Sequence, residues 1–466
     1  MLINLPENHD NLSSIALKLS CMSITNVEWS CLHSGAGIIH SSGEKPHRGS
    51  ADSPSSVYHL KCLYKKSKPV FSKLPEGTHK SEPLCWEDKS FSRIITPDSQ
   101  AMAILSMCSC AELLYSTDPA LASSLIKNAG YYRDFSSTYM RGSDGLFISM
   151  EDKTKALDEE PKLKPCSKNG KLSDQALMHE AASYLYSIAC QDTLKDFLPA
   201  EAQQYRDEKE SLFRFLQDNM SQLLSSSTKE ISICICSFAR CLSLEVDPEI
   251  TNRLKEFVCL LCAELETRIR ITGEVETGPD SLETCSMMTH FRASNAMLEG
   301  YRAVGIFKFK ELGILIYNCL EDLYSPDLKL YMENGVSKVT CSIRDIADML
   351  KLQLLKYQLD NDAQAGRRLE AMYGVLIENS SIMQSRPGTG YSVMGQVISL
   401  PDHIPDTISI GRAPVFVKSI KFNLKKDVSI KASKHFNSLY SLYASYTFLH
   451  YFLQQYQSVS NIPHTP

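Results

Sequence analysis

Helix-start signals recur in pairs along this chain, and the recurrence constrains the fold more than any other feature. Thr96-Pro97-Asp98 supplies an N-cap residue, a proline for the first helical position and an acid in the first turn. Asp118-Pro119 and Asp247-Pro248-Glu249 repeat the signal, and Ser342-Ile-Arg-Asp345 has the form of a capping box with Asp in place of the usual Glu. The first helices of successive pairs begin near residues 97, 173, 228, 283, 343 and 433, at intervals of roughly 55–90 residues. Second helices begin near 119, 200, 248, 307 and 361. A helix pair repeated this way predicts an array of α-hairpins, either an open solenoid or a closed toroid.

Two contrasts favour the toroid. Connections within pairs are short and those between pairs are mostly long, over 141–172, 271–281, 324–341 and 381–430. In an antiparallel array every second connection lies at the same end, so the long loops share one rim, where function usually resides. The first helices are apolar nearly all round (SQAMAILSMCSCAELLY, ISICICSFARCLSL), whereas the second carry a charged face (EAQQYRDEKESLFRFL). An all-apolar helix is buried and an amphipathic one covers a surface, which predicts an inner and an outer ring.

This alternating text, with the loop Gly142-Ser-Asp-Gly-Leu-Phe147 after the first hairpin, resembles the six-hairpin, glycosidase-like α/α toroids. The resemblance spans roughly residues 90–458, is architectural, and brings no family catalytic signature. It implies an all-α toroid of about six hairpins over residues 91–460, with an irregular N-terminal extension over 1–90. Strand-like text at 144–150, 328–332, 391–398 and 415–422 predicts short β-hairpins walling a funnel on one rim. Six inner helices are apparent but only five outer ones, and residues 11–23 are the candidate for the sixth, closing the ring.

Composition narrows the function classes. With 49 basic against 54 acidic residues the net charge is −5, which excludes a strongly basic nucleic-acid binder. The lysine-rich stretches 61–68 and 162–171 lack interleaved aromatics and read as solvated loops. No stretch is long and apolar enough for a membrane span, and no secretory signal is visible. Most of the 16 cysteines sit in apolar helical text, which reads as reduced, buried thiol in a cytoplasmic protein. Cys259 and Cys262 form a CxxC with no second half at zinc spacing, so no metal and no other cofactor is expected.

The long rim precedes each inner helix, so the funnel mouth is expected to be lined by inner-helix N-termini. By position the catalytic candidates are Asp98, Asp174, Glu283, His290 and Asp345. Substrate-binding candidates are Trp86, Arg93, Gln100, Asp144, His179, Glu180, Arg292, Asn295, Tyr391 and His435, with Glu230 and Arg344 in equivalent first turns. Acids in first turns are also what helix capping alone predicts. Two readings remain open at this level. One is an intracellular carbohydrate-active enzyme, hydrolase-like or epimerase-like, with a sugar or other small molecule in the funnel. The other is a non-catalytic toroid that binds or scaffolds.

Overall fold

The computed structural model describes residues 8–35, 37, 39–43, 57–72, 86–155, 160–167, 169–333, 335–387, 390–393, 396–398, 400–401, 403–424 and 428–452. The last part of the expected toroid, 453–460, lies outside the described residues. The helices in chain order are α1 (Asn8–Cys31), α2 (Pro97–Leu114), α3 (Pro119–Tyr139), α4 (Leu172–Ala189), α5 (Ala202–Asp218) and the short α6 (Met220–Leu224). They continue with α7 (Thr228–Leu244), α8 (Pro248–Glu266), α9 (Met287–Val304), α10 (Phe307–Glu321), α11 (Ile343–Asp360), α12 (Ala363–Tyr373), the one-turn α13 (Thr407–Ile410) and α14 (Ser438–Thr447).

Six of them close a ring: α2 packs on α4, α4 on α7, α7 on α9, α9 on α11, α11 on α14 and α14 back on α2. Each is buried along most of its length, as apolar text on every face requires. Outside the ring, α3 covers α2, α5 covers α4, α8 covers α7 and α9, α10 covers α9, and α12 covers α11. The outer α5 buries only Tyr205, Glu208, Lys209, Leu212, Phe213 and Leu216, one stripe of an amphipathic helix.

The outer position beside α14 is taken by α1, which also touches α2 and α12. It runs from Asn8 to Cys31, well past the 11–23 that hydrophobic text marks out. The extra turns contain Asn26, fully buried yet satisfied on both sides of its amide. Its Nδ2 donates to Ser445 Oγ (2.9 Å) and the Ser441 carbonyl (3.3 Å); its Oδ1 accepts from Ser441 Oγ (2.8 Å) and the Phe416 N–H (2.9 Å). A polar residue that looks like a helix end is thus the pin that holds α1 to α14.

The caps are mostly those the start signals call for. Asp118 Oδ1 accepts from the Leu121 N–H (3.0 Å), Asp247 Oδ1 from the Glu249 N–H (2.9 Å), and Ser342 with Asp345 forms a reciprocal capping box. Two inner helices start later than expected, α9 at Met287 and α14 at Ser438. Both are preceded by β-structure instead: Glu276 bridges Thr284, and Phe436–Asn437 pairs with Lys66–Ser67.

The rim above the inner-helix N-termini carries the strands. Lys338–Ser342 and Ser429–Ala432 flank Ser419–Asn423 in a three-stranded antiparallel sheet, and Ile94–Ile95, Met150–Asp152 and Leu163–Pro165 form another. Inner-helix thiols such as Cys108, Cys110, Cys234 and Cys241 are buried, and burial pushes each thiol's pKa up. They are packing atoms where helices approach closely. Among the described residues no helix is long and apolar enough to cross a membrane.

Candidate active site

A cavity of about 580 Å³ opens at the mouth of the inner ring. Helical phase decides what lines it. The sixth residue of every inner helix (Met102, Leu177, Ile233, Arg292, Asp348, Tyr443) faces the cavity, as do second- and third-position residues such as Asp98, Asp174, Glu230 and Arg344. The fourth residue lies about 160–200° round the helix from the second and sixth, at about 100° per residue. It is buried outside the cavity in every case: Gln100, Gln175, Ile231, His290, Ile346 and Ser441.

Three of those fourth residues clamp rim backbone. Gln100 accepts from the Leu63 N–H (3.0 Å) and donates to its carbonyl (2.9 Å). Gln175 does the same to Phe147, at 2.9 Å each way. His290 Nε2 accepts from the Val275 N–H (3.0 Å), and its Nδ1 lies 3.1 Å from the Ser286 carbonyl. With both ring nitrogens engaged and no face on the cavity, His290 is a structural clamp, not the base its sequence position invites.

The cavity brings Asp98, Asp174, Arg292 and Asn295 together. Asp98 and Asp174 stand on adjacent helices, with Glu230 next along the ring. Burial first, and then the negative charge of Asp98, push the Asp174 carboxyl up to about 8. Asp98 accepts hydrogen bonds from Thr96 Oγ1 and from Ser99 Oγ. Arg292 donates through Nε to Asp348 Oδ2 (2.9 Å) and through Nη2 to Asp345 Oδ1 (2.6 Å), so Asp345 supports the wall from behind. Tyr443 donates to the other oxygen of Asp348 (2.5 Å), and Asn295 Nδ2 to the Asp348 carbonyl (2.9 Å).

The remaining candidates lie elsewhere. Glu283 is exposed on the rim hairpin before α9, because the helix begins four residues later than its text implies. His435 is exposed ahead of α14 for the same reason. Trp86 is 2% exposed, packed edge-on against Phe436 at 5.1 Å, and offers no open face to a sugar. Arg93 bonds Asp88, Asp152 and the Thr154 carbonyl; Asp144 closes a turn onto the Leu146 N–H; Tyr391 donates to Glu28. His179 is wedged between Phe213 and Phe238 (5.6 and 5.2 Å), and burial holds its pKa down at about 3. Glu180 is clamped by Arg240 deep in the ring, at 2.5 and 2.7 Å.

Missing from the sequence-based candidates are Lys229, Lys418, Asp348, Tyr440 and Tyr443, all on the cavity wall. Lys65 and Lys171, expected in solvated loops, also line it. Counting six from each helix start would have found Asp348, and Tyr443 once the start of α14 is known. Lys418 lies in the bend just before the rim strand Ser419–Asn423, which helical phase does not reach. Among the described residues no three His, Cys, Asp or Glu side chains are grouped to hold a metal ion.

No protein-family model matches the chain, and no curated protein matches it in sequence. Solved structures do match in fold. Cellobiose 2-epimerase from Spirochaeta thermophila DSM 6192 superposes with a TM-score of 0.60 at 10% identity, over 98% of this chain and 100% of that one. A D-mannose isomerase gives 0.58 at 8% identity, over 97% and 99%. The chain has the α/α toroid fold of the six-hairpin, glycosidase-like proteins.

Proposed function

We propose that the chain is a carbohydrate-active enzyme that hydrolyses a glycosidic bond at the funnel mouth, with Asp174 as proton donor and Asp98 as the partner carboxylate. The observation that carries this reading is the pair of carboxylates on adjacent inner helices facing one cavity of about 580 Å³, within the range of small-molecule sites. Glycoside hydrolysis needs one carboxyl group to give a proton to the departing oxygen and another to act at the anomeric carbon, directly or through water. As the glycosidic C–O bond breaks, the Asp174 proton goes to the leaving oxygen; water supplies the new C–O bond, and its proton passes to a carboxylate. A carboxyl pushed up to about 8 keeps its proton at neutral pH, as a general acid must. Tyr440 places an aromatic side chain on the wall, the role that the buried Trp86 does not fill.

Sugar epimerisation or isomerisation is the second reading, prompted by the names of the two structures that share the fold. Proton NMR of the anomeric region separates the two on a panel of disaccharides and monosaccharides. Hydrolysis creates new reducing ends from a disaccharide. Epimerisation changes the sugar's own anomeric pair without cleavage. Cleavage that disappears in Asp174→Asn supports the first reading; an unchanged spectrum across the panel overturns both.

A further inference from the structure

We propose that the funnel recognises a carbohydrate through an anionic substituent, a carboxylate or a phosphate ester, held by Arg344 with Lys229 and Lys418. The inference rests on the reading of the funnel as a carbohydrate site and names the class of sugar it takes.

The charge of the cavity runs against that of the chain. The protein is net negative at −5, yet among the described residues eight basic and four acidic side chains line the funnel. Arg240 is paired with Glu180, and Arg292 with Asp345 and Asp348. The other six cations form no ion pair among the described residues.

Arg344 is the most telling of them. It is 9% exposed, and its Nε is buried with no hydrogen-bond partner. The acids nearest it in sequence are already engaged. Asp345 is held by Arg292 and the Ser342 cap, and Asp348 by Arg292 and Tyr443. The Arg344 guanidinium lies instead 4.8 Å above the ring centre of Tyr443, which orients its planar fork without satisfying its donors. A buried guanidinium fixed in orientation and left without an acceptor is a receptor for a two-oxygen anion.

Two neighbours agree. Lys229 has its pKa lowered by burial and then by the positive charges of Arg344, Arg292 and Lys171, a repulsion that a bound anion relieves. Asn295 is 2% exposed on the same wall and keeps its Oδ1 unpartnered, an acceptor for a sugar hydroxyl. In the ring order α2, α4, α7, α9, α11, α14, helix α11 stands opposite α4. An anionic group on Arg344 therefore places the sugar across the funnel, toward Asp174.

The test is isothermal titration of the full chain with glucuronate, glucose 6-phosphate, inorganic phosphate and neutral glucose. Glucuronate or glucose 6-phosphate should bind at least about tenfold tighter than glucose, and added sodium chloride should erase the advantage. Arg344→Gln should remove it, and Arg344→Lys should restore only part, since lysine keeps the charge and loses the fork. Comparing glucuronate with glucose 6-phosphate tells carboxylate from phosphate. If Arg344→Gln does not fold, Lys418→Gln and the salt dependence of the wild type serve in its place. Glucose binding as tightly as both anionic sugars, or anionic binding indifferent to Arg344→Gln and to salt, overturns the inference. Phosphate binding that needs Arg344 while no glycoside is cleaved would sink the hydrolase reading and leave the anion site. Equal cleavage of neutral and anionic glycosides would do the reverse.

Discussion

The two halves of the inner ring are built from the same helices and treat charge in opposite ways. At the mouth, the Asp174 carboxyl has no hydrogen bond or ion pair among the described residues, and the Arg344 guanidinium has only an aromatic ring. Two to three turns further along, the centre of the ring is filled by a network without such gaps. Arg240 grips Glu180, to which Tyr446 also donates (2.8 Å). Lys351 donates to Tyr451 (2.9 Å) and pairs with Glu299 (3.4 Å). Arg240 borders both the funnel and a cavity of about 250 Å³ at the opposite end, so this layer is a partition. Buried charge is tolerated when paired and hydrogen-bonded. The partition meets that condition, and Asp174 and Arg344 at the mouth do not, which is the contrast the proposed site rests on.

The largest expected effect breaks the comparison at the mouth. Asp174→Asn should lower turnover by about 10²–10⁴-fold, the usual contribution of a general acid, in a protein whose thermal melt is no lower than that of the wild type. A matched loss of folding would assign Asp174 to structure instead. At the partition the outcome is reversed. Glu180→Ala leaves Arg240, itself 5% exposed, as a buried cation without its counter-charge. That costs about 3–5 kcal/mol, read as a fall in the urea midpoint. A Glu180→Ala protein as stable as the wild type would mean that water reaches the partition and that the two halves are alike.

The ring was legible because start signals and apolar text repeat along the chain. Thr96-Pro97-Asp98 sits where α2 begins, and α4 begins within a residue of 173, so the sequence places Asp98 and Asp174 in first turns at the mouth. Glu283 and His435 were misplaced because α9 and α14 follow rim strands, and no proline or capping box marks where they begin. His290 and Gln100 show a different limit. Nearness to a helix start does not fix which face a side chain takes, and the fourth residue lies about 160–200° round from the second and sixth that line the cavity. The cationic wall was hidden for another reason: Lys65, Lys171 and Lys418 come from three separate loops, and only the closed ring brings them to one place.

The clamps give an intermediate effect that tests whether the rim is held independently of the site. Gln100→Ala strips partners from the buried N–H and carbonyl of Leu63, and Gln175→Ala does the same to Phe147. Each should cost about 1–3 kcal/mol and speed hydrogen exchange at the amide it served. Equal exchange in variant and wild type would show that neighbouring contacts hold the rim without the clamp.

A last effect, read from pH, sharpens the account of the mouth itself. The Asp174 carboxyl is raised from 3.8 to about 8 in the folded chain. Between those two values the unfolded chain releases this proton and the folded chain keeps it, so stability falls as pH rises through the window. Below 3.8 both states hold the proton, and above about 8 both have lost it, so the penalty is then constant. Asparagine has no proton to lose. The stability advantage of Asp174→Asn should therefore grow from about pH 4 to pH 8 and then level off. Asp98→Asn divides the cause. Burial is the larger source of the shift and the charge of Asp98 the next. Removing that charge should leave more than half of the pH dependence in place. A dependence that vanished in Asp98→Asn would make the pair's mutual repulsion, rather than burial in the wall, the force that holds the proton on Asp174.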